Sequence, residues 1–200
     1  LAKYSPEEKK QFNEMFREYI KIMDVAILQQ GKKWYDALGN IYHAISSSSK
    51  SSALGQFFTP SNVTDFMAQI VISNDSPGYE MINEPCSGSG RMVLSAHALQ
   101  PLNYYWAIDL DEICVKMTAI NMCMHNAAGV VTHGDALWID HKFYKSYHID
   151  RVQIGDHMLP YLKQIDLPKT REVLYYLRYY CDMMRRINSK NEPVPEENLI

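Results

Sequence analysis

The fold that we expect for this chain of 200 residues follows from the sequence Asn83-Glu84-Pro85-Cys86-Ser87-Gly88-Ser89-Gly90. An apolar run, Tyr79 to Ile82, precedes it, and a helix-like run, Met92 to Leu99, follows it. The order strand, glycine loop, helix is typical of a ligand-binding loop, because glycines allow a sharp turn and the first N–H groups of a helix can face polar ligand atoms. An ordinary tight turn is the alternative interpretation of two glycines alone.

Two further apolar runs end near acidic residues. The first, residues 104–108, leads to Asp109, nineteen residues after the last glycine of the loop, which is the spacing of an acid that accepts hydrogen bonds from ribose hydroxyls. The second, residues 129–133, is followed by Gly-Asp135. Because the carboxyl ends of parallel strands meet at one sheet edge, we expect Glu84, Asp109 and Asp135 together there. The pattern predicts an α/β fold that binds a nucleoside ligand.

Asp111 also follows the second predicted strand. We interpret Asp111 as the N-cap of a helix over residues 111–126, and Asp109 as the ligand contact because it directly ends the strand, although the two acids could exchange these roles. The packing positions predicted for this helix are Ile113, Val115, Met117, Ile120 and Met124.

The composition of the glycine loop narrows the choice of nucleoside. Val93 stands where a dinucleotide fingerprint has its third glycine, and no lysine follows the loop as in a P-loop. NAD and ATP are therefore disfavoured. An acid and a proline ahead of the glycines suit a ligand with a positive centre and no phosphates, and this favours S-adenosylmethionine.

These residues resemble a known family. The stretch 83–90 resembles the first cofactor motif of adenine-N6 DNA methyltransferases, and Leu54-Gly55-Gln56-Phe57-Phe58-Thr59-Pro60 resembles their N-terminal cofactor motif. The similarity covers about residues 54 to 137 and is strongest to the modification subunit of type I restriction systems. The resemblance implies a Rossmann-like methyltransferase core that transfers a methyl group from S-adenosylmethionine to adenine N6 in DNA. It also implies a restriction-modification context, with a specificity subunit and a restriction subunit as candidate partners.

The resemblance further implies which residues contact the cofactor. Gln56, Phe57 and Thr59 would lie along its methionine part, Asp109 would hold the ribose and Asp135 the adenine amine. For Thr59, the cap of a helix that begins at Pro60 is an alternative role. The complete implied set is Gln56, Phe57, Thr59, Glu84, Pro85, Ser87, Gly88, Ser89, Gly90, Asp109, Asp135 and Ala136.

The group that acts on the target base is not found. The family places Asn or Asp, two prolines and an aromatic after its fourth strand, where they hold the target amine and stack on the flipped base. No such run occurs in the sequence. We predict the fourth strand at Ile149 to Ile154; Asp156 and Tyr161 beyond it could supply an acceptor and a stacking face, or simply form a surface turn. The alternative function is therefore an inactive module of the same fold that binds S-adenosylmethionine, DNA or protein; methylation of a protein side-chain amide is a third possibility.

The chain divides by composition into four predicted parts: an N-terminal helical region (1–45), a Ser-rich linker (46–53), a methyltransferase-like core (54–167) and a C-terminal helix with a tail (168–200). Ser5 and Glu8 have capping-box spacing, which predicts the start of the first helix. Gly39 is expected to interrupt or soften the second. The side chains expected to face inward are Phe12, Met15, Phe16, Tyr19, Ile20, Met23, Ala26 and Ile27 in the first helix, Val63, Phe66, Met67, Ile70 and Val71 after Pro60, and Val173, Leu174, Leu177, Tyr180, Cys181 and Met184 in the last helix.

The composition constrains membrane insertion, the redox state of the cysteines and metal binding. No apolar run reaches the roughly 18 residues of a membrane span and no signal-peptide pattern opens the chain. The four cysteines are scattered as in a reduced cytoplasmic protein, and Cys114, Cys123, His125 and His133 lack the spacing of a metal site. The chain begins at Leu1 and leaves little room for further strands, so we expect a fragment of a longer protein or a shortened relative.

The distribution of charge bears on DNA binding. The formal net charge is -3, which does not by itself indicate a nucleic-acid partner. Residues 142–190, however, contain ten Lys or Arg and five Asp or Glu. A solvated helix face is one interpretation of this excess, and phosphate contact is the other. The candidate phosphate contacts are Arg178, Arg185, Arg186 and Lys190.

Overall fold

The computed structural model describes residues 3–45, 58–73, 75–138 and 143–190, without the side chain at position 190. The predicted linker at 46–53 and the first part of the N-terminal motif, including Gln56 and Phe57, lie outside these residues. The strands are β1 (Met81–Glu84), β2 (Tyr104–Asp109), β3 (Gly129–Gly134), β4 (Phe143–Ile154) and β5 (His157–Ile165). The helices are α1 (Pro6–Asp24), continued by a π-helical turn (Val25–Gln29), α2 (Ala37–Ile45), α3 (Ser61–Val71), α4 (Arg91–Leu99), α5 (Glu112–Met124), a short 3-10 turn (Ala136–Trp138) and α6 (Leu167–Lys190).

The described strands form one sheet of five, in the order β1-β2-β3-β4-β5. The first three strands are parallel, with Glu84 opposite Ala107 and Asp109 opposite His133. Each parallel step is connected by a helix, α4 between β1 and β2 and α5 between β2 and β3. The predicted α/β fold is confirmed, and the carboxyl ends of β1, β2 and β3 lie at the same edge of the sheet.

The fourth and fifth strands depart from the sequence prediction. β4 begins at Phe143, six residues before the predicted start, and runs antiparallel to β3. The segment after it, interpreted as a surface turn, forms a turn only at Gly155 and Asp156 and then continues as β5, antiparallel to β4. Because Gly129, the first residue of β3, pairs with Ile149, the hairpin turn lies beyond the amino ends of the parallel strands.

Successive residues of β3 face two separate apolar clusters. Val131 packs with Val93 and Val115 on the side of α4 and α5. Val130 packs with Val173 and Leu177 on the side of α6. Alternate strand residues point to opposite faces of the sheet, and each face is covered by helices. The inward face predicted for the last helix is largely confirmed, because its residues Val173 and Leu177 pack against one of these faces.

The predicted inward face of α3 is wrong, and that of α1 is confirmed only at Tyr19, Met23 and Ala26. Along α3, the five apolar residues from Val63 to Val71 that were expected to pack inward are 41% to 69% exposed, and Thr64 and Ala68 are buried instead. Ser95 Oγ on α4 lies 2.9 Å from Thr64 Oγ1, so small and polar side chains make this close helix contact. In α1 only Tyr19 and Met23 are buried. The predicted packing residues of these helices and of α5 that are exposed are Phe12, Met15, Phe16, Ile20, Val63, Phe66, Met67, Ile70, Val71, Ile113 and Ile120.

Two of the predicted features at the helix ends are present. The capping box of Ser5 and Glu8 is present, and Asp111 caps α5 by accepting from the N–H of Ile113 at 2.7 Å. Thr59 does not cap α3, whose N-cap is Pro60. Gly39 lies inside α2 without interrupting it. No helix within the described ranges is long and apolar enough to cross a membrane.

Candidate functional site

The glycine loop between β1 and α4 is held tightly across the sheet edge. The N–H of Ser87 donates to the carbonyl of Ile108 at 2.9 Å, and the N–H of Gly90 closes a turn onto the carbonyl of Ser87 at 2.7 Å. Gly88 and Gly90 have φ values of 55° and 92°, which side-chain-bearing residues rarely adopt. Thr118 on α5 donates to the carbonyl of Gly88 at 2.9 Å. The loop is therefore fixed to β2 and to α5.

Asp109 joins the end of β2 to this loop. Its Oδ2 accepts from the N–H of Gly88 at 2.7 Å, and its Oδ1 accepts from the N–H of Asp111 at 2.9 Å. A carboxylate has about four acceptor positions, so further hydrogen bonds can be accepted. Partial burial raises the pKa of Asp109, while the bonds from Asp111 and Gly88 act in the opposite direction.

Glu84 supplies a second carboxyl group at the end of β1. Its Oε1 accepts from the N–H of Cys86 at 3.1 Å. Burial raises the pKa of Glu84, and the nearby charge of Asp109 raises it further. Two half-buried carboxyl groups beside one loop favour a ligand with a cationic centre over an anionic one.

Asp135 lies at the end of β3 and has a local structural role. Its Oδ1 accepts from the N–H of Leu137 at 3.0 Å, which caps the 3-10 turn that begins at Ala136. Asp135 and Ala136 follow the same carboxyl edge that carries Glu84, Asp109 and the glycine loop. The structure thus brings together, at one edge of the sheet, the predicted contacts Glu84, Pro85, Ser87, Gly88, Ser89, Gly90, Asp109, Asp135 and Ala136.

Phe58 and Thr59, at the end of the N-terminal motif, border the glycine loop. A Cβ placed on Gly88 would lie 3.0 Å from the Phe58 ring. The cavity between this motif and the loop measures about 70 Å³, whereas small-molecule sites usually measure about 300 to 1,000 Å³. The cavity is therefore smaller than a usual small-molecule site, and the Phe58 ring lies against Gly88 at its border.

Sequence reasoning missed the residue that ties the loop to the N-terminal region. Asp36 is 2% exposed. Its Oδ2 accepts from Ser89 Oγ at 2.6 Å and from Arg91 Nε at 2.7 Å, and its Oδ1 accepts from Asn121 Nδ2 at 2.8 Å and from the N–H of Gly39 at 2.7 Å.

Two signals in the sequence could have pointed to this contact. Asp36 is an acid within the apolar run from Trp34 to Leu38, and a buried acid needs a partner. Arg91 is the first residue of α4, where the positive end of the helix dipole disfavours a cation. An acid and a base that each break a local rule are candidates for pairing with one another.

Asp156 and Tyr161 are not brought to the glycine loop. Asp156 lies in the hairpin turn, beyond the amino ends of the parallel strands and at the opposite end of the sheet from Asp109. Tyr161 pairs with Asp150 on β4, and its hydroxyl lies 3.3 Å from His148 Nδ1. In these positions neither side chain can act on a base bound beside the loop.

The predicted phosphate contacts lie on α6, on the other face of the sheet from α4 and α5. Arg178, Arg185 and Arg186 are all exposed. Arg185 is paired with Asp182 one turn earlier in the helix. The described residues contain no group of three or more His, Cys, Asp or Glu side chains that could hold a metal ion.

Comparison with known families assigns the chain. A family model described as N-6 DNA methylase matches residues 33–154. The match covers more than half of the chain, so the protein belongs to the N-6 DNA methylase family, and the predicted resemblance is confirmed. The matched range includes Asp36, the glycine loop and all three acidic strand ends. No curated protein and no solved structure matches the chain.

Proposed function

We propose that the chain binds S-adenosylmethionine at the glycine loop and serves in methylation of the N6 amine of adenine in DNA. The observation that carries this proposal is the 2.7 Å hydrogen bond from the Gly88 N–H to Asp109 Oδ2. It holds an acid beside a glycine loop, at the sheet edge where open α/β folds bind nucleosides. Membership of the N-6 DNA methylase family supports DNA as the substrate.

Each group of the site has a role in this proposal. Asp109 accepts hydrogen bonds from the ribose hydroxyls, and the backbone of residues 88–90 lies beneath the cofactor. Glu84 and Asp109 together favour a positively charged centre. Asp135 and Ala136 contact the adenine end, while Gln56, Phe57 and Thr59 contact the methionine end. When bound, the cofactor supplies an electrophilic methyl group.

We also propose partner subunits and a DNA-binding surface for the chain. A restriction-modification system would add a specificity subunit and a restriction subunit, as the resemblance of the two cofactor motifs implies. Arg178, Arg185 and Arg186 on α6 are the proposed phosphate contacts, since they are exposed cations on one helix.

A second function is favoured by the position of the hairpin. The adenine amine is a weak nucleophile, so methyl transfer needs an acceptor that aims it at the methyl group. Asp156 lies at the wrong end of the sheet for this task, and the Asn-Pro-Pro-aromatic run is absent from the sequence. We propose as the alternative a module that binds S-adenosylmethionine and DNA or protein without performing transfer.

Calorimetric titration with S-adenosylmethionine tests the binding site. Wild-type protein is expected to bind with a dissociation constant of about 1 μM, close to -8 kcal/mol. Asp109→Ala should abolish binding, because it removes the ribose acceptor. Asp156→Ala makes the same chemical change at the opposite end of the sheet and should leave binding unchanged. Absence of binding by wild type up to about 1 mM would refute the proposed site.

Transfer of a labelled methyl group separates the two functions. The enzyme hypothesis predicts label in unmethylated DNA when partner chains are supplied, and loss of this label with Asp109→Ala. The module hypothesis predicts binding of S-adenosylmethionine without label in DNA. Label found in a polypeptide and absent from DNA would instead indicate a protein substrate.

A further inference from the structure

We infer that Asp36 is a positioning residue that holds the glycine loop ready for its ligand. This inference rests on the proposed function of the loop. Asp36 lies just before α2, outside both cofactor motifs, and its four hydrogen bonds go to Gly39, Ser89, Arg91 and Asn121. It acts on Ser89 and Arg91, which flank Gly90 at the point where the loop enters α4.

Both oxygens of the Asp36 carboxylate accept hydrogen bonds. Four donors from three parts of the chain surround it, two on each oxygen. These donors match the roughly four acceptor positions of a carboxylate. A buried, saturated acceptor has one preferred position, so it constrains each group that donates to it.

Ser89 is held from two sides. Its hydroxyl donates to Asp36 Oδ2 at 2.6 Å, and its carbonyl accepts from Asn121 Nδ2 at 2.8 Å. The same Asn121 amide also donates to Asp36 Oδ1. Asp36, Ser89 and Asn121 therefore form a closed set of hydrogen bonds that fixes both the side chain and the backbone of the residue next to Gly88.

Arg91 extends this constraint to the N-terminal motif. Its Nε donates to Asp36, one terminal nitrogen donates to the carbonyl of Thr59 at 3.1 Å, and the other donates to Asn40 Oδ1 at 2.9 Å. A guanidinium group is planar and rigid, so its three donors have fixed positions relative to one another. One side chain thus connects α2, the end of the N-terminal motif and the glycine loop.

The close approach of α2 depends on Gly39. A Cβ at this position would lie 2.0 Å from Asp36 Oδ2 and 2.7 Å from Ser89 Oγ. Glycine is unfavourable inside a helix by about 1 kcal/mol relative to alanine, so its presence in α2 is explained by tertiary contact rather than by helix propensity. Gly39→Ala should push Asp36 away from Ser89 while keeping the charge of Asp36.

Holding the loop before the ligand arrives reduces the conformational entropy lost on binding. Loss of the Asp36 carboxylate should therefore weaken binding of S-adenosylmethionine even though no direct contact is removed. A merely structural tether of the N-terminal region would affect stability and leave the loop unchanged.

The test compares Asp36→Asn with Asp65→Asn. Asp65 accepts from Trp34 Nε1 at 2.7 Å and from Ser95 Oγ at 2.8 Å, so it ties the same N-terminal segment to the core without touching the loop. Two quantities are measured on each variant: the dissociation constant for S-adenosylmethionine, by calorimetry, and amide hydrogen exchange over residues 86–91 without ligand, by mass spectrometry.

For Asp36→Asn we expect binding weakened by roughly 5- to 150-fold, together with faster exchange in the loop. Asp65→Asn should retain wild-type values for both. Equal effects of the two substitutions, or unchanged loop exchange in Asp36→Asn, would overturn the inference. If Asp36→Asn does not fold, Gly39→Ala is the deciding variant, with the same expected pattern. If wild type binds no S-adenosylmethionine, the proposed function fails, and loop exchange alone decides the role of Asp36.

Discussion

Gly90 combines an unusual backbone conformation with close contact. Its φ is 92°, and a Cβ there would lie 3.2 Å from Thr118 Cγ2 and 3.3 Å from Thr118 Cα. We predict that Gly90→Ala lowers the free energy of unfolding by about 1 to 3 kcal/mol, because both backbone strain and crowding oppose the methyl group. Urea unfolding measures this loss.

The matched control for Gly90 is Gly31→Ala. Gly31 has a φ of 66°, but apart from its own chain neighbours no atom of the described residues lies within 4 Å of the added Cβ. The control therefore contains backbone strain without the contact with α5. It should cost less stability than Gly90→Ala; equal losses would show that crowding against Thr118 is unimportant.

His97 predicts a dependence of stability on pH. Burial, with a smaller contribution from the charge of Arg151, lowers the pKa of His97 from 6.5 to about 4. The unfolded chain therefore binds a proton that the folded protein does not, at pH values between these two. The contribution of His97 to stability is complete above about pH 6.5 and is lost as the pH falls toward about 4, by up to about 1.4 kcal/mol per pH unit.

Unfolding curves between about pH 8 and about pH 4 measure this effect. Carboxyl groups titrate in wild type and in His97→Gln alike, so the difference between the two proteins reports His97. We expect the stability of His97→Gln to fall less on acidification. His157→Gln, which replaces an exposed imidazole on β5, is the matched control, and identical curves for all three proteins would contradict the prediction.

At the scale of the secondary-structure elements, α1 packs through only part of its apolar face. Met23 is 6% exposed, whereas Met15 on the same helix is 66% exposed. Met23→Ala should lower the free energy of unfolding by about 2 to 5 kcal/mol, since it leaves a cavity, and Met15→Ala should change it by less than about 0.5 kcal/mol. The two substitutions are chemically identical, so comparable losses in urea unfolding would show that the exposed half of α1 is also packed.

The elements at the cofactor edge were predictable because their signals are local. A strand, a turn with two glycines and a helix depend on neighbouring residues, and so do the caps of Ser5 and Asp111. The direction of β4 was not predictable from alternation alone, since a strand has the same pattern whether it runs parallel or antiparallel. The apolar periodicity of α3 shows that the helix has an apolar face, but it does not show which face packs against the rest of the protein. The prediction that the apolar face packs inward was therefore wrong.

For the whole molecule, net charge and local charge make different predictions about DNA. The chain carries a formal charge of -3, yet the proposed phosphate contacts Arg178, Arg185 and Arg186 are exposed cations on α6. If these cations contact phosphates, replacing them should weaken DNA binding and reduce the slope of log K against log salt concentration by about 0.9 per lost contact. Fluorescence anisotropy at several salt concentrations measures both quantities for R178Q/R185Q/R186Q.

A control of equal charge change removes three cations from α1: Lys9, Lys10 and Arg17. This variant should keep the wild-type salt slope, because α1 lies outside the proposed DNA surface. Equal slopes for the two triple variants would indicate that only the overall charge of the protein matters.

The contact between Asp36 and the glycine loop also concerns the predicted division of the chain into an N-terminal helical region and a methyltransferase-like core. The family match begins at residue 33, so it includes α2, which the sequence prediction assigned to a separate N-terminal region. The boundary at 46–53 stays a prediction, and Asp36 shows that the parts before and after it share a buried ion pair.

The family, the α/β class, the glycine loop and the acids that follow the strands can be inferred from the amino-acid sequence, because each depends on residue type and spacing along a short stretch. The covered helix faces, the antiparallel hairpin of β4 and β5, and the pairing of Asp36 with Arg91 are seen only in the folded protein. These features join residues far apart in the chain, 55 positions in the case of Asp36 and Arg91. Their energy comes from burial and from mutual hydrogen bonding, and neither exists until the distant segments meet.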